Sequence, residues 1–151
     1  MLLVTVAVLA GCREFPVEPD PGQAQQNRQT FSVEPGEPFT FRVDDVVHVE
    51  GTNTSVQFRL VAEDSRCPGN VECIHPGRAS ILLILTNSVD DAEYQLLASI
   101  PGLVESPYLL APVIQFESLT FRLTNLSPYP LAGVDTRRGE YAATMNIDIA
   151  L

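Results

Sequence analysis

Leu119-Thr120-Phe121-Arg122-Leu123 alternates apolar and polar side chains with a period of two. Successive side chains of an extended strand point to opposite faces, so this stretch reads as a β-strand with one face buried and one in water. The period recurs outward along the chain. Phe39, Phe41 and Val43 alternate with Thr40, Arg42 and Asp44, and Val56, Phe58, Leu60 and Ala62 alternate with Gln57, Arg59, Val61 and Glu63. Tyr141, Ala143, Met145, Ile147 and Ile149 form the last such series. The run Ala79-Ser-Ile-Leu-Leu-Ile-Leu-Thr86 is apolar on both faces and is expected to be a central strand, and Tyr94 to Ile100 adds one more. Turn formers separate the runs at Glu34-Pro35-Gly36, Gly51-Thr52-Asn53, Pro76-Gly77, Pro101-Gly102 and Ser127-Pro128-Tyr129-Pro130. No window of about a dozen residues carries a helical stripe. The expected fold is all-β: a single immunoglobulin-like β-sandwich of seven or eight strands, with a small β-barrel as the alternative. Pro38, Arg42 and Asp44-Asp45 are placed to defend its edges.

Length and composition agree with one such domain. The chain has 151 residues, 45% of them apolar, which allows a hydrophobic core and excludes a globally disordered polymer. Its net charge is −10 and all nine basic residues are arginine. An acidic surface repels phosphate backbones and gains nothing from counterion release, so nucleic acid is not an expected partner.

Ahead of the domain, Met1 to Ala10 reads MLLVTVAVLA, without charge. As a helix it would be about 15 Å long, half of a bilayer core, too short to span but suited to the apolar region of a secretory signal. Leu9-Ala10-Gly11-Cys12 follows directly. It resembles the lipobox of bacterial lipoproteins, which implies cleavage before Cys12 and a diacylglycerol on its thiol. Two or three acyl chains, at about 0.8 kcal/mol per buried methylene, make a stable anchor where one does not. The basic segment expected before the run is missing, so a start upstream of Met1, or a fragment, is expected. Arg13 stands where an aspartate would retain a Gram-negative lipoprotein at the inner membrane. The expected location is the cell envelope, lipid-anchored in the outer membrane facing the periplasm, or at the cell surface. Residues 13–29, with Pro16, Pro19, Pro21, Gly22 and a glutamine run, have neither period. The expected organisation is a signal at 1–11, the lipidated cysteine and Pro/Gln-rich tether at 12–29, and a β-sandwich domain at 30–151.

Glu63 to Ala79 is the most distinctive segment of the domain. Cys67 and Cys73 lie six positions apart around Pro68-Gly69-Asn70, a turn that can bring two Cβ atoms within the ~3.5–4.5 Å of a disulfide. Export supplies the oxidising compartment, and closing a loop of seven is worth about 2.4 kcal/mol in the chain-entropy picture. Asp64 and Arg66 are candidates to brace this loop through hydrogen bonds to its backbone. The Asp64-Ser-Arg-Cys-Pro68 stretch with Cys73, Gly77 and Ala79 resembles a motif of small bacterial lipoproteins and secreted proteins of uncharacterised role. Leu126-Ser-Pro-Tyr-Pro130 and the closing Tyr141 strand extend the likeness over residues 39–149. His75 stands where such relatives carry tryptophan. The resemblance implies no activity.

Other residue types admit chemistry. Cys67, Cys73, His75, His48 and Met145 are soft or borderline ligands that could hold copper or zinc. Ser65, His75 and Asp64 are the residue types of a hydrolase triad, yet no Gly-x-Ser-x-Gly elbow surrounds Ser65. Asp90-Asp91 with Glu93, and Asp44-Asp45, lack calcium-loop spacing and read as turn and edge residues. The chain is therefore expected to be a membrane-anchored lipoprotein and not an enzyme. Without a cofactor, it would serve as a binding or structural envelope module for a protein or glycan. The alternative is a copper- or zinc-handling lipoprotein using His75 and His48.

Overall fold

The computed structural model describes residues 28–102 and 113–150 and contains nine strands in two sheets. In chain order they are Thr30–Val33 (β1), Phe39–Arg42 (β2), Val46–Val49 (β3), Thr54–Asp64 (β4), Arg78–Asn87 (β5), Ala92–Pro101 (β6), Val113–Phe116 (β7), Leu119–Ser127 (β8) and Ala142–Ile149 (β9). One sheet has the order β1-β3-β4-β5-β6 and the other β2-β9-β8-β7. This is the expected all-β sandwich, and among the described strands no ladder joins the two sheets into a barrel. Nine strands exceed the expected seven or eight because β1, β3 and β7 are four residues each. So short a run carries too few residues for its alternation to stand out. The signal segment, Cys12 and nearly all of the tether lie outside the described residues.

Alternation builds the core. Leu119, Phe121 and Leu123 of β8 and Ala143, Met145 and Ile147 of β9 point inward from one sheet. Val56 and Phe58 of β4 with Ala79, Ile81, Leu83 and Leu85 of β5 point inward from the other. Burying each larger apolar side chain is worth about 1.5–3 kcal/mol relative to leaving it in water. Phe41 of β2 bridges the layers, its ring centroid 5.5 Å from that of Phe58. The apolar run read as a central strand is β5, paired on both sides over its whole length. Its second face is half-buried, with Leu82 and Ile84 on the outside of the sheet.

The period-two reading fails in one place. In β4 the register slips after Phe58 and again after Val61. Each bulge sets two residues against one and turns the strand by a face. Leu60 and Ala62, expected inside, therefore lie off the core face, while Val61 packs against the core. The second slip restores the phase, so Asp64 stands opposite the buried Ala79. β8 slips after Leu123, which brings Leu126 into the core. The bulges of β4 and β8 shape one end of the sandwich, where β4 leaves for the cysteine loop.

Candidate functional site

At that end the ladder between β4 and β5 runs on into the loop. Ser65 N–H donates to the Arg78 carbonyl at 2.8 Å and Cys67 N–H to the Pro76 carbonyl at 2.8 Å. Gly77 makes this approach feasible. Its φ is +66° and a Cβ there would lie 1.8 Å from the Ser65 carbonyl oxygen, so no L side chain fits. Pro68-Gly69-Asn70-Val71 closes a turn through Val71 N–H to the Pro68 carbonyl at 3.2 Å. The Cys67–Cys73 disulfide spans it with a Cα–Cα distance of 5.9 Å, inside the ordinary range.

Arg66 ties this loop to the opposite sheet. Its side chain is 2% exposed and that of Asp64 8%. Nε and Nη2 donate to the two Asp64 carboxylate oxygens, each at 2.7 Å, a bidentate fork. Nη1 donates to the Leu126 carbonyl at 2.6 Å and Nη2 to the Pro128 carbonyl at 3.1 Å. The guanidinium carbon sits 4.7 Å from the centroid of the Tyr129 ring, in cation–π range. Tyr141, just before β9, donates its hydroxyl to Asp64 Oδ2 at 3.2 Å. Burial pushes the Tyr141 phenol above its usual range, and the negative Asp64 carboxylate adds to the effect. Among the described residues, no buried side-chain nitrogen or oxygen lacks a partner.

A second set of bonds joins the cysteine loop directly to the loop after β8. Gly69 N–H donates to the Pro130 carbonyl at 3.0 Å. Asn70 accepts from Ala132 N–H at 2.8 Å and donates to the Ala132 carbonyl at 3.5 Å. The two loops thus form one braced unit, joined by the Arg66 and Asn70 side chains and the Gly69 N–H, with the disulfide closing the first loop. This unit presents four aliphatic side chains to water, Ile74 at 96% exposure, Val134 at 60%, Leu131 at 48% and Val71 at 46%, among the exposed polar groups of Glu72, His75 and Asp135. Branched aliphatic side chains held in water on a rigid support gain free energy when a partner covers them.

The other candidate residues are dispersed. His48 lies on β3 with its Nδ1 2.7 Å from Ser55 Oγ. Ser55 and Asp64 are nine residues apart along β4, so His48 is about 30 Å from the cysteine loop at 3.3 Å per residue. His75 is exposed within that loop, the cysteines are bonded to each other, and Met145 is buried in the core. The ligands named for copper or zinc are therefore not brought together, and among the described residues no group of three or more His, Cys, Asp or Glu could hold a metal. Nor do Ser65, His75 and Asp64 form a relay. Ser65 Oγ donates to Glu63 Oε1 at 2.9 Å and to the Arg78 carbonyl at 3.1 Å, while Asp64 is held by Arg66. Asp45 accepts from Arg42 N–H at 2.8 Å and Asp90 from Ala92 N–H at 3.2 Å, which are turn roles, and Asp45 also accepts from Gln29 N–H at 2.8 Å, which ties in the chain ahead of β1. Sequence reasoning missed Tyr129, Tyr141 and the carbonyls of Leu126 and Pro128. The Ser127-Pro128-Tyr129-Pro130 turn signal marked the segment without showing that it receives Arg66.

No protein-family model, no curated protein and no solved structure matches this chain.

Proposed function

We propose that this chain is a lipid-anchored envelope protein whose sandwich is a non-enzymatic binding module, and that its braced two-loop end engages a protein. The observation that carries the reading is the exposure of Val71, Ile74, Leu131 and Val134 on loops locked by the Cys67–Cys73 disulfide and the Asp64–Arg66 pair. A preorganised apolar surface loses little conformational entropy on association. A protein fits these tips better than a glycan, because aliphatic branches offer a sugar neither hydrogen bonds nor an aromatic platform. The Leu9-Ala10-Gly11-Cys12 sequence supports the anchor, and the proline-rich stretch at 13–29 supports a spacer between lipid and domain.

Two measurements test it. Intact mass of the membrane-extracted protein should begin at Cys12 with added acyl mass, and Cys12→Ser should move the chain to the soluble fraction. A photo-crosslinking amino acid at Ile74 should give a discrete adduct in whole cells, while the same probe at Thr120, on β8, should not. Equal labelling from both positions, or none from Ile74, would overturn the loop reading.

A further inference from the structure

Among the described strands each sheet ends in two edges, and three of the four are short: β1, β2 and β7 have four residues each. β6 has ten. A long edge presents a row of backbone donors and acceptors, and proteins ordinarily blunt it with charge, proline or a bulge. β6 has none of these along its middle. Its pairing with β5 is unbroken from Ala92 to Pro101, its only charge is Glu93 and its only proline is the last residue.

The face beside this edge is apolar at one level. Leu60, Leu82 and Leu97 stand side by side across β4, β5 and β6 on the outside of the sheet, and Leu97 is 59% exposed. An antiparallel partner must match β6 in parity, because directly opposed residues share a face. A second copy of β6 turned about a dyad at Leu97 meets that condition. Leu97 then faces its own counterpart, Gln95 faces Ser99, and Glu93 faces Pro101. On the core side Tyr94 faces Ile100 and Leu96 faces Ala98. From residue 94 to residue 100 apolar meets apolar and polar meets polar; only the outermost pair, Glu93 with Pro101, is mixed, and no like charges are opposed. Moving the dyad to Gln95 would set Leu97 against Glu93 and lose this match.

The geometry points to β6 as a self-association edge, at which two copies of this chain pair antiparallel about Leu97 and join their five-stranded sheets into one. The Leu60–Leu82–Leu97 row then continues across the dyad into its counterpart, which doubles the apolar strip and covers its most exposed member. Each copy carries −10 net charge, so long-range repulsion opposes the pairing and salt, by screening it, strengthens it. This inference does not depend on what the loop end binds. If a lipid holds the chains on one surface, it also raises their effective concentration.

The test places one cysteine at a time in the full chain, expressed with its own leader, and applies a mild oxidant to the fraction that holds the protein. Leu97→Cys, on the dyad, should give a disulfide-linked species of twice the mass. Glu93→Cys and the unaltered chain should give at least tenfold less. Gln95→Cys should cross-link to Ser99→Cys when the two variants are co-expressed, but not to itself. Leu97→Lys, at an exposed position, should leave folding intact and lower the dimer fraction at least tenfold by sedimentation, whereas raising NaCl from about 50 to 500 mM should increase it for the unaltered chain. Equal cross-linking from positions 93 and 97, an adduct with a different protein, or a folded Leu97→Cys variant that resists a small maleimide and stays monomeric would each overturn the proposal. The last result would mean that the chain covers its own edge.

Discussion

Removing Arg66 should destabilise this domain more than any single surface change, and the structure sets the size of the effect. Its guanidinium is almost wholly buried and gives four side-chain hydrogen bonds, two to Asp64 and two to backbone carbonyls. Arg66→Met keeps most of the buried stem but leaves the Asp64 carboxylate without its cation in a site 8% exposed. Breaking one partner of a buried pair costs about 3–5 kcal/mol, and the two carbonyls left without donors push the value to the upper end. For a domain of this size that is a fall of roughly 2–3 M in the urea midpoint. The assay is equilibrium urea denaturation of the Cys12→Ser chain, followed by far-ultraviolet circular dichroism. The comparison is Arg78→Ala, which removes an ion pair with Glu63 whose side chains are 67% and 43% exposed. That pair should be worth less than about 1 kcal/mol. The double variant Asp64→Leu/Arg66→Met removes both charges and should cost less than the two single changes summed, since no unpaired ion remains inside. A loss from Arg66→Met no larger than that from Arg78→Ala would refute the reasoning, as would strict additivity in the double variant.

Gly77→Ala combines a positive φ with a Cβ 1.8 Å from the Ser65 carbonyl; it should cost more than about 3 kcal/mol, seen as a thermal midpoint at least 10 °C lower. Reducing the Cys67–Cys73 bond should cost about 2 kcal/mol, the scale of closing so short a loop, and leave the far-ultraviolet spectrum unchanged, because the loop is also held by Arg66 and Asn70. Stability should fall as pH rises past about 10, where an unfolded tyrosine ionises. Tyr141 is held protonated by burial and by Asp64, so the folded chain binds more protons than the unfolded one in that window. Tyr141→Phe should flatten that alkaline slope, and urea midpoints between pH 9 and 11 would measure it. An equal slope in both proteins would assign it to other groups.

Much of the sandwich was legible because period-two alternation is a local property. Leu119, Phe121 and Leu123 point inward as their spacing alone requires, and the Cys67–Cys73 pair follows from six intervening steps and a Pro-Gly-Asn turn. Alternation misled at Leu60 and Ala62, because a bulge depends on the neighbouring strand as well as on the residues that form it. Spacing likewise could not show that Arg66 crosses to carbonyls 60 and 62 residues away, nor that β6 would be the long edge while β5 is enclosed. Strand class, most strand faces and the cysteine loop were readable from local pattern, since each rests on side-chain geometry within a few residues. Which loops are braced together, where the buried charge finds its partners and which edge stays open among the described strands emerge only once the chain is folded. Those outcomes depend on contacts between segments that no local pattern relates.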